Sequence, residues 1–424
     1  MRRVITACVL LLSVSAGAQT TEPLPARLEQ IRAAANVPAA GGVTFTSSSI
    51  GITAVTGVRK SGDPTSVTTS DVWHIGSLTQ SFTSTLLGRF VERGELQWTS
   101  TLGELLGVER AKKFAPVTLV QVLSHRAGIA APGATFLYSN LDYILIGSIL
   151  ESKTGKSWEE LVRTEVLTPL KLTSAGFGAP GAPGAITQPR GHRAQGTALV
   201  PVEPGLFADN PALLGPAGTL HMSIEDLARW GQEHLRGERG VNGLLKASTY
   251  QLIHTPPMAA ADYAFGWIVQ PWNGSRVIWH NGSNTMWYAV VAFDAARDRG
   301  VVLVTNGSIN ARGAIDAAAR DLITARLTAP DQTPLPAGAV YSADRAHVAY
   351  LANGSTPAMS SAVDIHLRRV ADGVDTKIAT FDGVVNSLAF STDGQHVTFS
   401  TSVVGAPPRM CTVALTGGAA VVCR

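Results

Sequence analysis

The residue best placed to act as a nucleophile in this sequence is Ser77, at the start of a predicted helix that runs to about Glu95. Unpaired backbone N–H groups and the positive end of the helix dipole at such a terminus stabilise an anion that develops during attack. Helical periodicity places Ser77, Gln80 and Ser84 on one face, at i, i+3 and i+7, and we expect that face to line a cleft. Taken alone, a serine at a helix start is more typical of an N-cap than of a nucleophile.

A serine nucleophile needs a base, and the side chain one helical turn after Ser77 is that of Gln80. Because glutamine is neutral, we expect it to hold a hydrogen bond, but neither to take a proton nor to lower the pKa of a neighbouring tyrosine. No lysine in the sequence follows a serine by three residues, so no other segment offers a Ser-x-x-Lys pair. His74, three residues before Ser77, is either a substitute base or a half-exposed polar residue.

Further segments after Ser77 carry a family resemblance. They are LSHRAGI at 123–129, Tyr138-Ser139-Asn140 before a helical run, PLKLTSAGF at 169–177, GPAGTLHMSIEDLARW at 215–230, YAFGW at 263–267, and His280-Asn281-Gly282 between two apolar strands. Together with HIGSLTQSF at 74–82, in which Gln80 occupies the lysine position of a Ser-x-x-Lys motif, they make residues 22–328 resemble the β-lactamase-related serine hydrolases. This branch of the serine β-lactamase and penicillin-binding protein superfamily contains AmpC-like enzymes, DD-peptidases and carboxylesterases.

The resemblance implies both a fold and a role for individual residues. The fold would be α+β and β-lactamase/DD-peptidase-like, with an antiparallel sheet flanked by helices and a helical subdomain. Ser77 would be the nucleophile and Tyr138 the general base or acid, assisted in the family by the lysine that Gln80 replaces. Asn140 would bind the carbonyl group of the substrate, and the backbone N–H groups of Ser77 and Ser283 would form the oxyanion hole.

Two segments compete for the third motif of the family, which must lie on a strand beside the cleft. Lys153-Thr154-Gly155 spells that motif, but it ends one helical run and another run follows at once. His280-Asn281-Gly282 meets the requirement, because the apolar stretches RVIW and MWYAVVAF flank it. The resemblance therefore implies that His280, Asn281 and Gly282 bind substrate, with His280 in place of a lysine. A mostly neutral imidazole holds a carboxylate more weakly than an ammonium group, which favours esters or small amides over β-lactams.

Two functions of different classes fit these residues. The first is an exported serine hydrolase that forms an acyl-enzyme on a carboxylic ester or amide, esterase- or peptidase-like rather than an efficient β-lactamase, and weakened by Gln80. The second is a non-catalytic binding protein that uses the same cleft to recognise peptidoglycan-like or peptide ligands. Gln80 favours the second function, whereas the joint presence of Ser77, Tyr138, Asn140 and residues 280–282 favours the first.

The chain divides into four predicted segments. MRR followed by ITACVLLLSVSAGA is typical of a signal peptide over residues 1–18, which predicts a periplasmic or secreted protein. The hydrolase domain follows over 19–327, with a Gly-, Pro- and Ala-rich stretch at 178–201 that we expect to be a long irregular loop, and 328–338 is a proline-rich linker. Residues 339–424 form a small β domain: segments 339–352 and 388–401 are alike at an offset of 49 residues and resemble TolB-type β-propeller repeats, so we expect about two blade-like units.

Composition and charge exclude other classes of protein. The net charge is +3, and without Arg2 and Arg3 it is +1 (3 − 2), with no basic cluster, which argues against nucleic acid as a partner. After the signal peptide, no segment is apolar for long enough to span a bilayer. The histidines are scattered without metal-ligand spacing, so we expect no metal and no cofactor. The expected partner is a small ester, amide or peptide substrate, and the sequence does not name a protein partner for the β domain.

The last prediction concerns Cys411 and Cys423, which flank TVALTGGAAVV. A hairpin with the loop 416–418 sets the two cysteines directly opposite each other on the same face, within disulfide reach. An exported protein meets oxidising conditions, so we predict a disulfide, the alternative being two buried free thiols.

Overall fold

The computed structural model describes residues 24–131, 135–196, 198–258, 261–307 and 311–324, and then 339–342, 347–351, 362–369, 375–382, 384–402, 409–415 and 421–423. The predicted signal peptide and the predicted linker at 328–338 lie outside the described residues.

Up to residue 324, the described chain combines helices with antiparallel strands. The helices are α1 (Leu24–Ala35), α2 (Thr79–Glu92), α3 (Leu102–Leu106), α4 (Val108–Ala111), α5 (Leu119–Leu123), α6 (Asn140–Thr154), α7 (Trp158–Val162), α8 (Gly215–Gly218), α9 (Ile224–Glu238), α10 (Ala247–Ile253) and α11 (Arg312–Thr324). The strands are β1 (Ala39–Phe45), β2 (Ile50–Gly57), β3 (Val72–His74), β4 (Gly176–Phe177), β5 (Gly191–Gln195), β6 (Ala198–Val202), β7 (Leu220–Ser223), β8 (Ile268–Trp272), β9 (Ser275–Ser283), β10 (Tyr288–Asp294) and β11 (Arg299–Thr305).

The central sheet is antiparallel and is covered on both faces. Its strand order is β2-β1-β11-β10-β9-β8. Every residue of β10 is buried, because α1 and α11 pack on one face while α9 and the helical part of the chain pack on the other. The structure therefore has the predicted α+β, β-lactamase/DD-peptidase-like fold.

Helix α2 runs through the middle of the helical part and carries the predicted nucleophile region at its start. Phe82 stacks on Trp230 of α9 with ring centroids 3.8 Å apart, and the Trp230 indole N–H donates to the Ser81 hydroxyl (3.0 Å). Ser84 is also buried, and its hydroxyl donates to the carbonyls of Ser81 and Phe265. Our expectation that Ser84 lines the cleft is therefore wrong, because the turn of α2 that follows Gln80 is buried in the core.

Element boundaries differ from the predicted ones by a few residues. The helix predicted from Ser77 begins with a 3₁₀ turn at Gly76–Leu78, and α2 itself ends at Glu92. Gly94 follows with φ +76°, the left-handed conformation that commonly closes a helix.

The stretch at 178–201 is only partly irregular, which corrects the sequence prediction. Strands β5 and β6 pair as a hairpin from Gly191↔Val202 to Gln195↔Ala198. The buried guanidinium of Arg190 donates to the carbonyls of Ala182 and Ala185, which orders the loop before the hairpin. The sequence prediction of an irregular loop rested on the high Gly and Pro content, which does not indicate strand pairing.

The C-terminal part forms two four-stranded antiparallel sheets. They contain β12 (Val340–Tyr341), β13 (His347–Leu351), β14 (Ala362–Arg369) and β15 (Asp375–Asp382), and then β16 (Val384–Phe390), β17 (His396–Ser402), β18 (Arg409–Ala414) and β19 (Val422–Cys423). One apolar cluster draws residues from both sheets. The small all-β region predicted from sequence is thus present.

The two sheets repeat the same turn at the predicted offset. The Ser342 N–H donates to the His347 carbonyl (2.9 Å) and the His347 N–H donates to the Ser342 hydroxyl (2.9 Å). Ser391 and His396, each 49 residues further on, make the same pair of bonds at 2.9 and 3.0 Å. The likeness to a β-propeller blade remains a resemblance.

Cys411 and Cys423 lie opposite each other in the register of β18 and β19 and form a disulfide. The hairpin loop at 416–418 lies outside the described residues.

Within the parts of the chain that the structure describes, no helix is long and apolar enough to cross a membrane.

Candidate active site

Two glycines bring the backbone of Ser77 against strand β9. Gly76 has φ +52°, and a Cβ atom at this position would collide with the backbone of Ser283. A Cβ atom at Gly282 would collide with the Ile75 carbonyl oxygen and would lie 2.7 Å from the Ser77 amide nitrogen. The segments around Ser77 and Ser283, to which the resemblance assigns the oxyanion hole, are therefore in direct contact.

The Gln80 amide stands at the centre of a polar network and is fully buried. Its nitrogen lies 2.6 Å from the Tyr138 hydroxyl and 3.3 Å from Asn140 Oδ1. Its oxygen lies 2.8 Å from the Tyr263 hydroxyl and 3.2 Å from His125 Nε2. Ser139 caps α6 by accepting the Leu141 N–H, and this start of the helix presents Tyr138 and Asn140 together. The structure thus brings Gln80, Tyr138 and Asn140 together.

The surroundings of Tyr138 favour its neutral, protonated form. Its side chain is 40% exposed, but protein atoms surround the hydroxyl end, and this burial raises the pKa of Tyr138. Hydrogen bonds with Ser77 and Gln80, and the positive charge of Arg312, act to lower the pKa and offset the burial only in part. Our expectation that Gln80 does not lower this pKa is therefore wrong for the orientation in the structure, in which the amide N–H faces the phenol oxygen.

His280 lies on β9 and faces this network. The side chain is 2% exposed, and burial lowers the pKa of His280 to about 4, so the ring is neutral at physiological pH. Its Nδ1 lies 2.5 Å from the Asn281 carbonyl oxygen, and its Nε2 lies 3.1 Å from the Tyr263 hydroxyl. A neutral ring here agrees with the expectation of a weak carboxylate anchor.

The next residue on the strand, Asn281, points the other way. Its amide donates to Asp316 of α11 (3.2 Å), because alternate side chains of a strand face opposite sides of the sheet. Our assignment of the Asn281 side chain to substrate binding is therefore not supported. The Ser283 hydroxyl donates to the Trp287 carbonyl (2.7 Å), so the role assigned to Ser283 rests on its backbone.

His74 fits neither of the two alternatives taken from the sequence. It is fully buried rather than half-exposed, because β3, which carries it, pairs with β7. Its Nε2 lies 2.6 Å from Asp209 Oδ1, and its Nδ1 accepts the Gly76 N–H (3.1 Å). Both ring nitrogens are engaged, so His74 supports the turn before Ser77 and is not a free base.

Sequence reasoning missed His125 and Tyr263, although the segments LSHRAGI and YAFGW contain them. His125 Nδ1 lies 2.9 Å from Asp142 Oδ2 of α6. Gly266, with φ +76°, lets its segment approach the backbone of Ser81 closely, which sets Tyr263 beside Gln80. Both segments are among those that carry the family resemblance, and this was the signal that could have pointed to the two residues.

Lys153-Thr154-Gly155 lies at a helix end and not on a strand, as predicted. Lys153 and Thr154 end α6, and Gly155 is its left-handed C-cap. In the described ranges, no three His, Cys, Asp or Glu side chains come together in a way that could hold a metal ion.

Comparison with known proteins identifies the relatives of this arrangement. The family model described as Beta-lactamase matches residues 26–326. The chain is 24% identical to Penicillin-binding protein 4 of Amycolatopsis lactamdurans over 325 residues, which cover 67% of this chain and 84% of that protein. It is also 24% identical to the unguisins hydrolase ungD' of Aspergillus campestris over 314 residues, or 63% of this chain, and it spans 59% of the length of that relative.

Solved structures show the same fold at low identity. SurE aligns with a TM-score of 0.60 and 20% identity, covering 94% of this chain and 95% of SurE. The octameric penicillin-binding protein homologue from Pyrococcus abyssi aligns with a TM-score of 0.59 and 17% identity, covering 92% and 96%. The D-alanine carboxypeptidase AmpC from Burkholderia cenocepacia aligns with a TM-score of 0.58 and 20% identity over 70% of this chain and 96% of that chain.

Proposed function

This chain belongs to the β-lactamase family, and from that premise we propose that it is an exported serine hydrolase that acts slowly on neutral carboxylic esters or amides through an acyl-enzyme. The observation that carries the proposal is the cluster of Ser77, Tyr138 and Asn140 around Gln80, with the Ser77 backbone in contact with β9.

In the proposed reaction, the Ser77 oxygen attacks the carbonyl carbon while its proton passes to the oxygen of an ionised Tyr138. The backbone N–H groups of Ser77 and Ser283 would stabilise the oxyanion. Tyr138 would then give the proton to the leaving group as the carbon–oxygen or carbon–nitrogen bond breaks, and water would release the acyl group by the reverse sequence. Because the pKa of Tyr138 is raised, the phenolate is scarce at neutral pH, which predicts a slow reaction that accelerates with pH.

The charge of the site supports an uncharged substrate. The lysines that the family motifs would place at positions 80 and 280 are both replaced here by neutral side chains. Arg312 is the positive group that acts on Tyr138, and the Asp316 carboxyl group beside it also feels that charge. An anionic substrate would therefore find less attraction in this cleft than in one that carries both lysines.

Two segments with exposed apolar side chains border the site and support an apolar substrate. On one side, the centroid of the Phe136 ring lies 6.3 Å from that of the His125 ring and 6.1 Å from that of the Tyr263 ring. On the other side, the Ala208 carbonyl accepts a bond from Asn284, the residue after Ser283. The exposed apolar residues are Phe136 (49%), Leu137 (43%) and Leu141 (50%) in the first segment and Phe207 (82%) and Leu213 (69%) in the second. Exposed apolar groups in segments that contact residues of the site favour an apolar acyl or leaving group.

A non-catalytic binding protein is the second candidate, and one observation favours it. Gln80 cannot accept the nucleophile's proton, and burial keeps Tyr138 protonated. The cleft would then recognise peptidoglycan-like or peptide ligands without turning them over.

Labelling with a fluorophosphonate, together with hydrolysis of a chromogenic short-chain ester, separates the two functions. The mature protein should be labelled once and should hydrolyse the ester, and Ser77→Ala should abolish both, whereas the exposed-serine control Ser70→Ala should behave as wild type. Labelling that persists in Ser77→Ala would remove the nucleophile assignment, and absence of labelling and turnover in the wild type would favour the binding protein.

A further inference from the structure

The Gln80 amide has two orientations that fill the same space, related by a half-turn that exchanges its oxygen and its nitrogen. In the structure the nitrogen faces Tyr138, and the oxygen faces His125 and Tyr263. An amide nitrogen only donates hydrogen bonds and an amide oxygen only accepts them, so the protons on the neighbouring groups decide between the orientations.

The first set of neighbouring protons is that of His125. Burial lowers the pKa of His125, so the ring is neutral and carries one N–H. Its Nδ1 lies 2.9 Å from the Asp142 carboxylate, which only accepts, and a bare nitrogen there would repel it. The Ser139 N–H also donates to this nitrogen, at the longer distance of 3.3 Å, and a proton on Nδ1 replaces that bond with the shorter one to the carboxylate. With the proton on Nδ1, the Nε2 atom is an acceptor, and at 3.2 Å it needs an N–H from Gln80.

The protons on His280 and Tyr263 independently indicate the same orientation of the Gln80 amide. His280 Nδ1 lies 2.5 Å from a carbonyl oxygen, that of Asn281, so the single proton of this neutral ring is on Nδ1 and Nε2 is bare. Tyr263, at 3.1 Å, supplies the proton that Nε2 accepts. Since a tyrosine has one hydroxyl proton, Tyr263 cannot also donate to Gln80 at 2.8 Å and must accept an N–H from it.

We propose that His125, held by Asp142, turns the Gln80 amide so that its nitrogen donates to His125 and Tyr263 and its carbonyl oxygen accepts the hydroxyl proton of Tyr138. His125 is then a positioning residue, and Asn140 turns its own amide nitrogen toward the Gln80 oxygen. In this orientation the donors on His125, Tyr263 and Gln80 each meet an acceptor, and the Ser139 N–H gives up its bond to His125 Nδ1. Tyr138 becomes a hydrogen-bond donor to residue 80, and the N–H that would stabilise its phenolate is withdrawn.

The ¹⁵N NMR spectrum of ¹⁵N-histidine-labelled mature protein tests the proposal without any need for turnover. His125 is assigned by the signals that disappear in His125→Asn. At neutral pH its Nε2 should have the shift of an unprotonated ring nitrogen, and its Nδ1 should be coupled to one proton. A proton found on Nε2 would overturn the proposal, whether or not the protein proves to be a hydrolase.

Asp142→Asn tests the part played by the carboxylate. Without it the His125 proton is no longer held on Nδ1, so the His125 signals should change. If the protein hydrolyses the ester, the acid limb of kcat/KM should also move to lower pH, because the Gln80 N–H can return to Tyr138. Glu238→Gln, which alters the carboxylate partner of the remote buried His254, is the matched control and should leave the His125 signals and the pH profile unchanged. Unchanged His125 signals in a folded Asp142→Asn protein would contradict the role of Asp142.

Discussion

A lysine at position 80 would place an ammonium group among polar atoms that can all accept a hydrogen bond. The Gln80 amide lies 2.6–3.3 Å from the Tyr138 hydroxyl, Asn140 Oδ1, His125 Nε2 and the Tyr263 hydroxyl. The Nδ1–H form of His125 leaves its Nε2 free to accept from such a group. A positive charge at this distance lowers the pKa of a phenol by about 1–3 units.

The expected gain in rate follows from that shift. Each unit by which the pKa of Tyr138 falls gives about tenfold more phenolate at neutral pH. The shift therefore corresponds to about 10- to 1,000-fold, a range that overlaps the lower part of the ~10²- to 10⁴-fold that general-base catalysis supplies. We expect Gln80→Lys to raise kcat/KM for a chromogenic ester by at least about tenfold and to move the acid limb of its pH profile down by about 1–3 units.

The assay compares wild type, Gln80→Lys and Gln97→Lys over a range of pH. Gln97 is exposed, so Gln97→Lys adds the same charge away from the site and should not change the profile. A Gln80→Lys protein that keeps its circular dichroism spectrum but shows neither a gain nor a shift would refute the reasoning. The site would then use another base or would have lost the geometry that a lysine needs.

Three further predictions concern the substrate, the core and the C-terminal part. Phe207→Ala should weaken the preference for longer acyl esters, because each buried methylene contributes about 0.8 kcal/mol, or about fourfold in kcat/KM; an unchanged chain-length series would contradict the apolar border. Burial lowers the pKa of His234 and of His254, so below about pH 6.5 the unfolded state binds more protons than the folded state. As the pH falls below that value, each histidine should reduce the free energy of unfolding by up to about 1.4 kcal/mol per pH unit. Urea midpoints that stay constant between pH 7 and 5 would refute this. Intact-mass analysis of the denatured, unreduced protein should show no alkylation of Cys411 or Cys423, and two alkylated thiols would rule the disulfide out.

The residues that the sequence places correctly are those fixed by local pattern. Ser77 and Gln80 share a helix face, Tyr138 and Asn140 flank the Ser139 cap, and His280 lies on a strand bounded by apolar runs. The same alternation along the strand, applied one residue further, would also have turned Asn281 away from the cleft.

The residues that the sequence did not reveal act through contacts between distant parts of the chain. His125 meets Gln80 across 45 positions, and Tyr263 meets it across 183. Neither segment has a local pattern that distinguishes a polar ring directed into a site from one directed into solvent. The burial of Ser84 likewise depends on the carbonyl of Phe265, which no helical periodicity could place.

The same substitution that should restore catalysis should reduce stability. Gln80 is fully buried, and desolvation of an ammonium group costs several kcal/mol, which the attraction of a directly bonded carboxylate could offset. The Gln80 amide contacts two hydroxyls, an amide and an imidazole, and the Asp142 carboxylate is linked to it through His125. We therefore expect Gln80→Lys to lower the free energy of unfolding at neutral pH by about 1–3 kcal/mol, read from the urea midpoint at an unchanged slope. A variant at least as stable as the wild type would show that the cleft solvates a cation fully, and the glutamine would then have no stabilising role.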